Sequence, residues 1–428
     1  MIVASATTRT PNKDKMTRRC FLASTALPTV APLTVSPMAA APQHGPPKRI
    51  AAVITTWFQR SHADVIVGKY LEGFHQNDQP PHPRSKIVSM YVAQVHERDL
   101  SREMSRKHNV PIHRTIYEAL TLGTGDLAVD GVLIIGEHGD YPLNDKGQRL
   151  YPRFQLFLQV TDVFRQTGKA VPVYNDKHLS YSWVKAKRMV EISREMGFPM
   201  LAGSSVPVAY RDPQVDAPWG EKIPHAVAIA FAGLESYGFH MLESIQAMIE
   251  RRKGGEVGVR SVQCLQGDAV WDYFGRTPWV PPLFDAALSR CKTRQPGELR
   301  EIVKKPAVFL VNYRDGAQAA GFLLTGAVKD DFSVAVEVEG QPEPVSTLCW
   351  LMRRPYHHHF GCLIKNIEKM FETGKAPYPV QRTLLISGVL DFMLDSVQQG
   401  NKVIETPQLD VAYQTPNASH YCTEGWKI

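Results

Sequence analysis

The chain lacks most features that announce a function. Its six cysteines are scattered through 428 residues, with no Cys-x-x-Cys and no metal-type spacing. That excludes a disulfide scaffold and suggests no zinc site. Past residue 41 there is no run of 18 apolar residues, so no integral membrane segment is expected in a mature form. Internal repeats, low-complexity tracts and basic stripes interleaved with aromatics are also missing. These absences remove repeat architectures and leave no basis for expecting a nucleic-acid partner. What is present is ordinary globular usage, 43% hydrophobic and 21% charged. At ~150 residues per domain the length allows two to three domains.

The basic excess is mostly terminal. Residues 1–41 hold Arg9, Lys13, Lys15, Arg18 and Arg19 against Asp14, and so carry +4 of the net +7. From Met16 onward, Arg18-Arg19 precede an apolar stretch broken by Pro28, Pro32 and Pro37, which ends in Ala39-Ala40-Ala41. Basic pair, apolar run and small-residue end, in that order, read as an export signal. The string TRRCFLA is similar to the twin-arginine signal, read by export machinery that carries folded proteins. The expectation is a signal over 1–41, a linker over 42–47 and a periplasmic or extracellular protein.

Beyond the linker, short β-branched runs alternate with helical spacings. Strands are expected from Arg49, over 86–95, 129–139, 170–176 and 199–205. Helices are expected after Ser61, after an Asp99 N-cap, and over 153–167 and 181–196. This is the pattern of a doubly wound parallel sheet, which places ligands at the carboxyl ends of its strands. After residue 210 comes a strand, then a helix running from about 234 to Gly254-Gly255, then extended runs with hairpin-like spacing, and finally helices near 358–373 and 379–399. The fold class is therefore α/β: a Rossmann-like sheet followed by an α+β domain with a mainly antiparallel sheet.

The first strand-to-helix turn, TTWFQRS, carries no glycine. A dinucleotide fingerprint needs Gly-x-Gly-x-x-Gly here, so that the backbone can turn tightly and approach a pyrophosphate. Thr55, Trp57 and Arg60 stand at those three positions as the candidate cofactor contacts, and Gln94 replaces the ribose-binding acid at the end of the second strand. Two readings stay open. Either the nucleotide site is lost or rewired, or a drifted loop still binds NAD(P).

The segment YNDKHLSYSWVKAKRMVE, with Asp176-Lys177-His178-Leu179, resembles the strand-end motif of the glucose-fructose oxidoreductase/inositol dehydrogenase (Gfo/Idh/MocA) family. LESYGFHMLES, with Gly238 and His240, resembles the same family's histidine helix. The resemblance runs in order over about 48–410. It implies a Rossmann-like domain over 48–210, a substrate and oligomerisation domain over 211–378, and a closing helix and tail over 379–428. It further implies a nicotinamide cofactor, a carbohydrate or polyol ligand and a possible homo-oligomer. Lys177 falls on the lysine that contacts substrate and nicotinamide, and His240 on the acid/base that takes a hydroxyl proton.

The residues support that chemistry independently. An ammonium at a strand end stabilises an alkoxide, and histidine exchanges protons near neutral pH. Glu243, three residues on, is placed to orient the His240 ring. Glu137, His138, Asn175, His178 and Glu235 are candidate substrate contacts at the rim, with Arg382 on the last helix. Glu137, His138, His178 and His240 also allow a His/carboxylate metal site as a second reading. Of His357-His358-His359, one or two are expected to face the cleft and the rest the surface. The function expected is an oxidoreductase-like enzyme on a sugar, sugar acid or cyclic polyol. Alternatives are a non-catalytic carbohydrate binder and a cofactor-independent or metal-assisted lyase or isomerase.

Overall fold

A computed structural model describes residues 45–423, so the expected export signal lies outside the described residues. Six strands come first: β1 (Arg49–Ile54), β2 (Lys86–Val92), β3 (Ile112–His113), β4 (Gly131–Ile135), β5 (Val173–Asp176) and β6 (Met200–Gly203). They alternate with α1 (His62–Glu72), α2 (Ser101–His108), α3 (Ile116–Thr121), α4 (Arg153–Thr167) and α5 (Trp183–Glu195). All neighbours pair in parallel, in the order β3-β2-β1-β4-β5-β6. The direction of winding reverses between β1 and β4, the point at which such sheets bind ligands.

Burial on both faces explains the continuous apolar strands. Ile50, Ala52 and Ile54 enter a core with α1 and α10 (His358–Thr373), whereas Ala51 and Val53 enter one with α3, α4 and α5. Each fully buried large aliphatic side chain contributes about 1.5–3 kcal/mol. β3 and α3 are additions to the expected pattern. Two residues are too few to show a strand period, but α3 has a sequence mark, the capping box between Thr115 and Glu118. Asp99 stands one residue before the N-cap of α2, Leu100, and still accepts from the Arg102 amide at 3.3 Å.

The second sheet is built from β7 (Tyr210–Asp212), β8 (His225–Ala230), β10 (Val259–Gln266), β11 (Ala307–Tyr313), β12 (Gln318–Leu323), β13 (Phe332–Val336), β14 (Val345–Trp350) and β15 (Ile404–Glu405). Its order is β15-β10-β11-β12-β8-β13-β14-β7, and only β12 and β8 run parallel. A two-stranded ribbon pairs β9 (Glu256–Val257) with β16 (Ala412–Tyr413). Helix α6 (Ser236–Ile249) and the closing helix α11 (Gln381–Gln398) pack on one face of the eight-stranded sheet; α11 also touches α5 of the first. The other face is covered by α7 (Asp268–Arg276) and α8 (Val280–Leu288), with the short α9 (Leu299–Ile302) beside them. None of these three was expected. Pro281 and Pro282 read as breakers, yet both sit in the first turn of α8, where backbone N–H groups have no helical partner anyway.

α6 stops earlier than expected. Past Ile249 the amides of Arg251 and Arg252 bond three residues back, at 3.4 and 3.1 Å, so the chain tightens into turns before Gly254. Gly238 sets how closely α6 approaches the sheet. A Cβ there would stand 2.6 Å from Cε2 of Phe309 on β11. Gly238→Ala is therefore expected to cost about 1–3 kcal/mol through overpacking, read as a lowered midpoint in urea unfolding.

Candidate active site

The carboxyl ends of β1, β4, β5 and β6 bring the site together. The Thr55 hydroxyl donates to the Ile135 and Glu137 carbonyls at 3.2 and 2.8 Å, which locks the end of β4 beside β1. Lys177 follows β5, and its backbone exchanges two bonds with Gly203 at 3.2 and 3.1 Å, so its position is fixed by β6. His138 and Lys177 adopt φ of 69° and 58°, a left-handed backbone that costs a non-glycine residue about 1–3 kcal/mol.

Glu137 is the electrostatic centre. It pairs with Arg153 at the start of α4 and accepts from Lys177 Nζ at 3.0 Å. Burial alone would raise its pKa, but Lys177 and Arg153 outweigh this and hold the carboxyl well below its usual range. Arg153, fully buried, also donates to His178 Nε2 at 3.1 Å. Burial and that guanidinium keep the His178 pKa well below its ordinary value, so the ring is neutral. Glu137→Gln would leave Arg153 and Lys177 buried without their carboxylate. A loss of about 3–5 kcal/mol is expected in equilibrium denaturation.

Lys177 and Glu137 open onto a cleft of about 390 Å³, lined also by Arg60, His62, His138, Tyr237, His240, Phe332, Arg353, His357 and His359. His240 reaches it from α6, between the rings of Tyr237 and Phe332 at 6.0 and 5.7 Å. Burial, then the charges of Lys177 and His62, push its pKa well below the ordinary value, so it is an unprotonated base at neutral pH. Its Nδ1 is buried without a hydrogen-bond partner. Glu243 does not orient it, contrary to expectation: this carboxylate turns away to accept from the Ser204 amide and the Thr383 hydroxyl, both at 2.7 Å. Burial raises the Glu243 pKa to about 7. Gly203 is required beside it, since a Cβ would lie 2.7 Å from Glu243 Oε1.

His62 is a site residue that the sequence reading missed. It opens α1, and its Nδ1 lies 2.6 Å from Asp176 Oδ2. Asp176 is fully buried, with Oδ1 otherwise unpartnered, so it serves this ring. The pair is an imidazole oriented by a carboxylate, the arrangement of an acid/base group. Its only sequence signal is a histidine directly after the N-cap Ser61, at the mouth of the first turn.

The insert over 140–153 is an ordered wall. Leu143 bridges Arg149, and Lys146 binds Asp391 and Asp395 of α11 at 2.8 and 2.7 Å. Tyr151 lines the cleft and two neighbouring cavities alike. One, about 490 Å³, holds Lys146, Arg149, His178 and Glu235. The Glu235 pKa is raised by burial, and its Oε2 accepts from the Arg149 amide at 3.3 Å. The other, about 510 Å³, lies over the ends of β1, β2 and β4, with Thr56, Gln94, His96 and Glu97.

Several expected contacts lie elsewhere. Arg382 is buried against Glu250, its guanidinium 4.3 Å from the Tyr378 ring, and does not reach the cleft. Asn175 is fully buried and donates to the carbonyls of Asp176 and His178, both at 3.2 Å. Thr55 and Trp57 are fully buried, and only Arg60 of the three cofactor candidates lines the cleft. His357 and His359 face the cleft, but His358 is buried rather than on the surface.

The first turn does not fit a dinucleotide pyrophosphate. Side chains of the turn already hold three of its amides, those of Phe58, Arg60 and Asp64. Ser61 Oγ accepts from Phe58 and Asp64 at 3.2 and 3.3 Å. The Asp64 carboxylate accepts from the Arg60 amide at 2.7 Å, the Tyr356 hydroxyl at 2.6 Å and the Trp57 indole at 3.4 Å. A resident carboxylate at the positive end of a helix competes with phosphate for the same dipole.

No protein-family model matches the sequence, and no curated protein matches it. Among solved structures the fold is shared with a probable dehydrogenase from Thermotoga maritima, at 12% identity and a TM-score of 0.51, covering 84% of this chain and 99% of that one. It is shared also with myo-inositol 2-dehydrogenase from Lactobacillus plantarum, at 10% identity, TM-score 0.50 and coverage of 84% and 99%. GenD2 of gentamicin A biosynthesis, solved with NAD, aligns at 13% identity, TM-score 0.51 and coverage of 85% and 97%. The likeness is one of architecture: this chain has the fold of Gfo/Idh/MocA-type oxidoreductases, a Rossmann-like sheet joined to a mixed, mainly antiparallel one.

Proposed function

We propose that this protein is an exported enzyme on an oxidoreductase-type fold that acts on a sugar, sugar acid or cyclic polyol by proton transfer, with His240 as acid/base and Lys177 as its electrostatic partner. One observation carries the reading: His240, Lys177 and His62, whose ring is held by buried Asp176, line a single cleft at the strand ends. The aromatic wall of Tyr237 and Phe332 suits a sugar ring, and Arg60 with Lys177 favours a sugar acid. The name of the myo-inositol dehydrogenase neighbour supports the same substrate class.

In this reading neutral His240 accepts a proton from the substrate. Lys177, held by Glu137, stabilises the oxyanion that forms. His62, its Nδ1 committed to Asp176, offers its other nitrogen as a second acid/base group. Two such groups favour isomerisation or elimination beside a carbonyl: one removes the proton from carbon, the other delivers one to the carbonyl or departing oxygen. The occupied turn at Asp64 supports this over hydride transfer to a nicotinamide.

The test is incubation with sugars, aldonic and uronic acids and inositols in deuterated water, followed by NMR. Deuterium incorporation or product formation without NAD(P) is expected. Turnover that requires NAD(P) would contradict the proton-transfer reading, and saturable binding without any turnover would make the protein a carbohydrate binder.

A further inference from the structure

We propose that His358, Cys362 and Cys422 form a binding site for a thiophilic d10 metal ion, Zn²⁺ or Cu⁺, which staples the C-terminal segment onto α10. Their candidate ligand atoms lie within 4.8 Å of one another, and all three residues are buried. In a tetrahedral zinc site with Zn–S of ~2.3 Å and Zn–N of ~2.0 Å, ligand atoms stand about 3.5–3.8 Å apart. The cluster therefore needs only a small inward movement to close on an ion.

Local structure explains why these residues meet. His358 and Cys362 are four apart on α10 and share one face. One further turn along, Asn366 Nδ2 donates to the His420 carbonyl at 3.1 Å. The Cys422 amide donates to the Val208 carbonyl at 3.1 Å. The chain near 420–422 is thus aligned along the stripe 358–362–366, and Cys422 arrives beside the other two. No sequence spacing signals this, because 59 residues lie between the two cysteines.

Two thiolates and an imidazole select soft or borderline ions over Mg²⁺ or Ca²⁺. Binding Zn²⁺ to two thiols releases two protons and leaves a centre without net charge, which suits burial. The site stands at the start of the helix that also presents His357 and His359 to the cleft, so an ion on His358 would fix that end of the cleft wall.

The experiment uses the full chain, purified under reducing conditions without chelator. Elemental analysis is followed by titration with Zn²⁺, and with Cu⁺ anaerobically, against a competing chelator. One ion per chain is expected, lost in Cys362→Ser and Cys422→Ser and retained in Cys291→Ser and His357→Ala. Cd²⁺ added to the unsubstituted protein should produce a thiolate charge-transfer band, a readout that survives if the serine variants misfold. Absence of that band, unchanged binding in both serine variants, or a Cys362–Cys422 disulfide that persists in place of metal would overturn the proposal.

Discussion

Replacing His240 with asparagine is expected to lower turnover by about 10²–10⁴-fold, the usual contribution of a positioned general acid/base. The fold should survive the change. No described residue bonds Nδ1, and the ring meets its surroundings through aromatic contacts with Tyr237, Phe239 and Phe332. Lys177→Met is expected to lower kcat similarly but for another reason, since it removes a charge from the reacting oxygen rather than a proton acceptor. His240 is already unprotonated at neutral pH, so its loss should lower turnover without removing a limb of the pH profile there. Turnover retained in both variants would remove the cleft from consideration as the reacting site. His62→Gln provides an internal check, because it breaks the bond to Asp176 without touching α6.

Acid should destabilise the protein from pH ~6.5 downward. His138, its pKa lowered to about 4, and His178 and His240, both held well below their ordinary value, are neutral in the folded state where the unfolded chain's histidines are charged. The unfolded state therefore binds more protons below pH ~6.5, and stability falls as pH falls, by ~1.4 kcal/mol per pH unit for each such group. The contribution is complete above the unfolded value and lost on the way down to the folded one. Two carboxyls act in the opposite sense. Glu243, raised to about 7, and Glu235, also raised by burial, are more protonated in the folded state until pH falls to ~4.5. Between pH 6.5 and 4.5 the histidines outweigh the two carboxyls, and His357, His358, His359 and His420, lowered in the same way by burial, add to the decline. Below ~4.5 the two carboxyls no longer oppose the decline, and Glu137, held below its usual range, joins those histidines that are still neutral. Urea titrations at pH 7, 5.5 and 4 measure this directly. Stability that does not fall between pH 7 and 5.5 would contradict these assignments, and Glu243→Gln should steepen that part.

The first sheet was legible because its strands are buried on both faces. β1 and β4 are nearly continuous apolar runs, and helices between the strands carry caps such as Ser61. The motif residues Lys177 and His240 were legible for a related reason. Each occupies a backbone position with a fixed requirement, Lys177 a left-handed turn bonded to Gly203 and His240 a helix that only Gly238 lets close on Phe309. What sequence could not supply was direction. Glu243 sits three residues from His240 yet points to Ser204 and Thr383, and Arg382 on an apolar helix is committed to Glu250. Partnerships across long separations were equally hidden, among them His62 with Asp176 and Cys362 with Cys422. The missing glycines in the first turn were visible from the start. The structure adds an acidic side chain, Asp64, already bonded to the Arg60 amide of that turn.

The most direct test of the account is native mass spectrometry of the purified protein, before and after NAD⁺ and NADP⁺ are offered in excess. With Asp64 occupying the first turn, no nicotinamide adduct should be carried through purification or gained on addition. A stoichiometric, retained NAD(P) would contradict the account and return the cleft to hydride transfer.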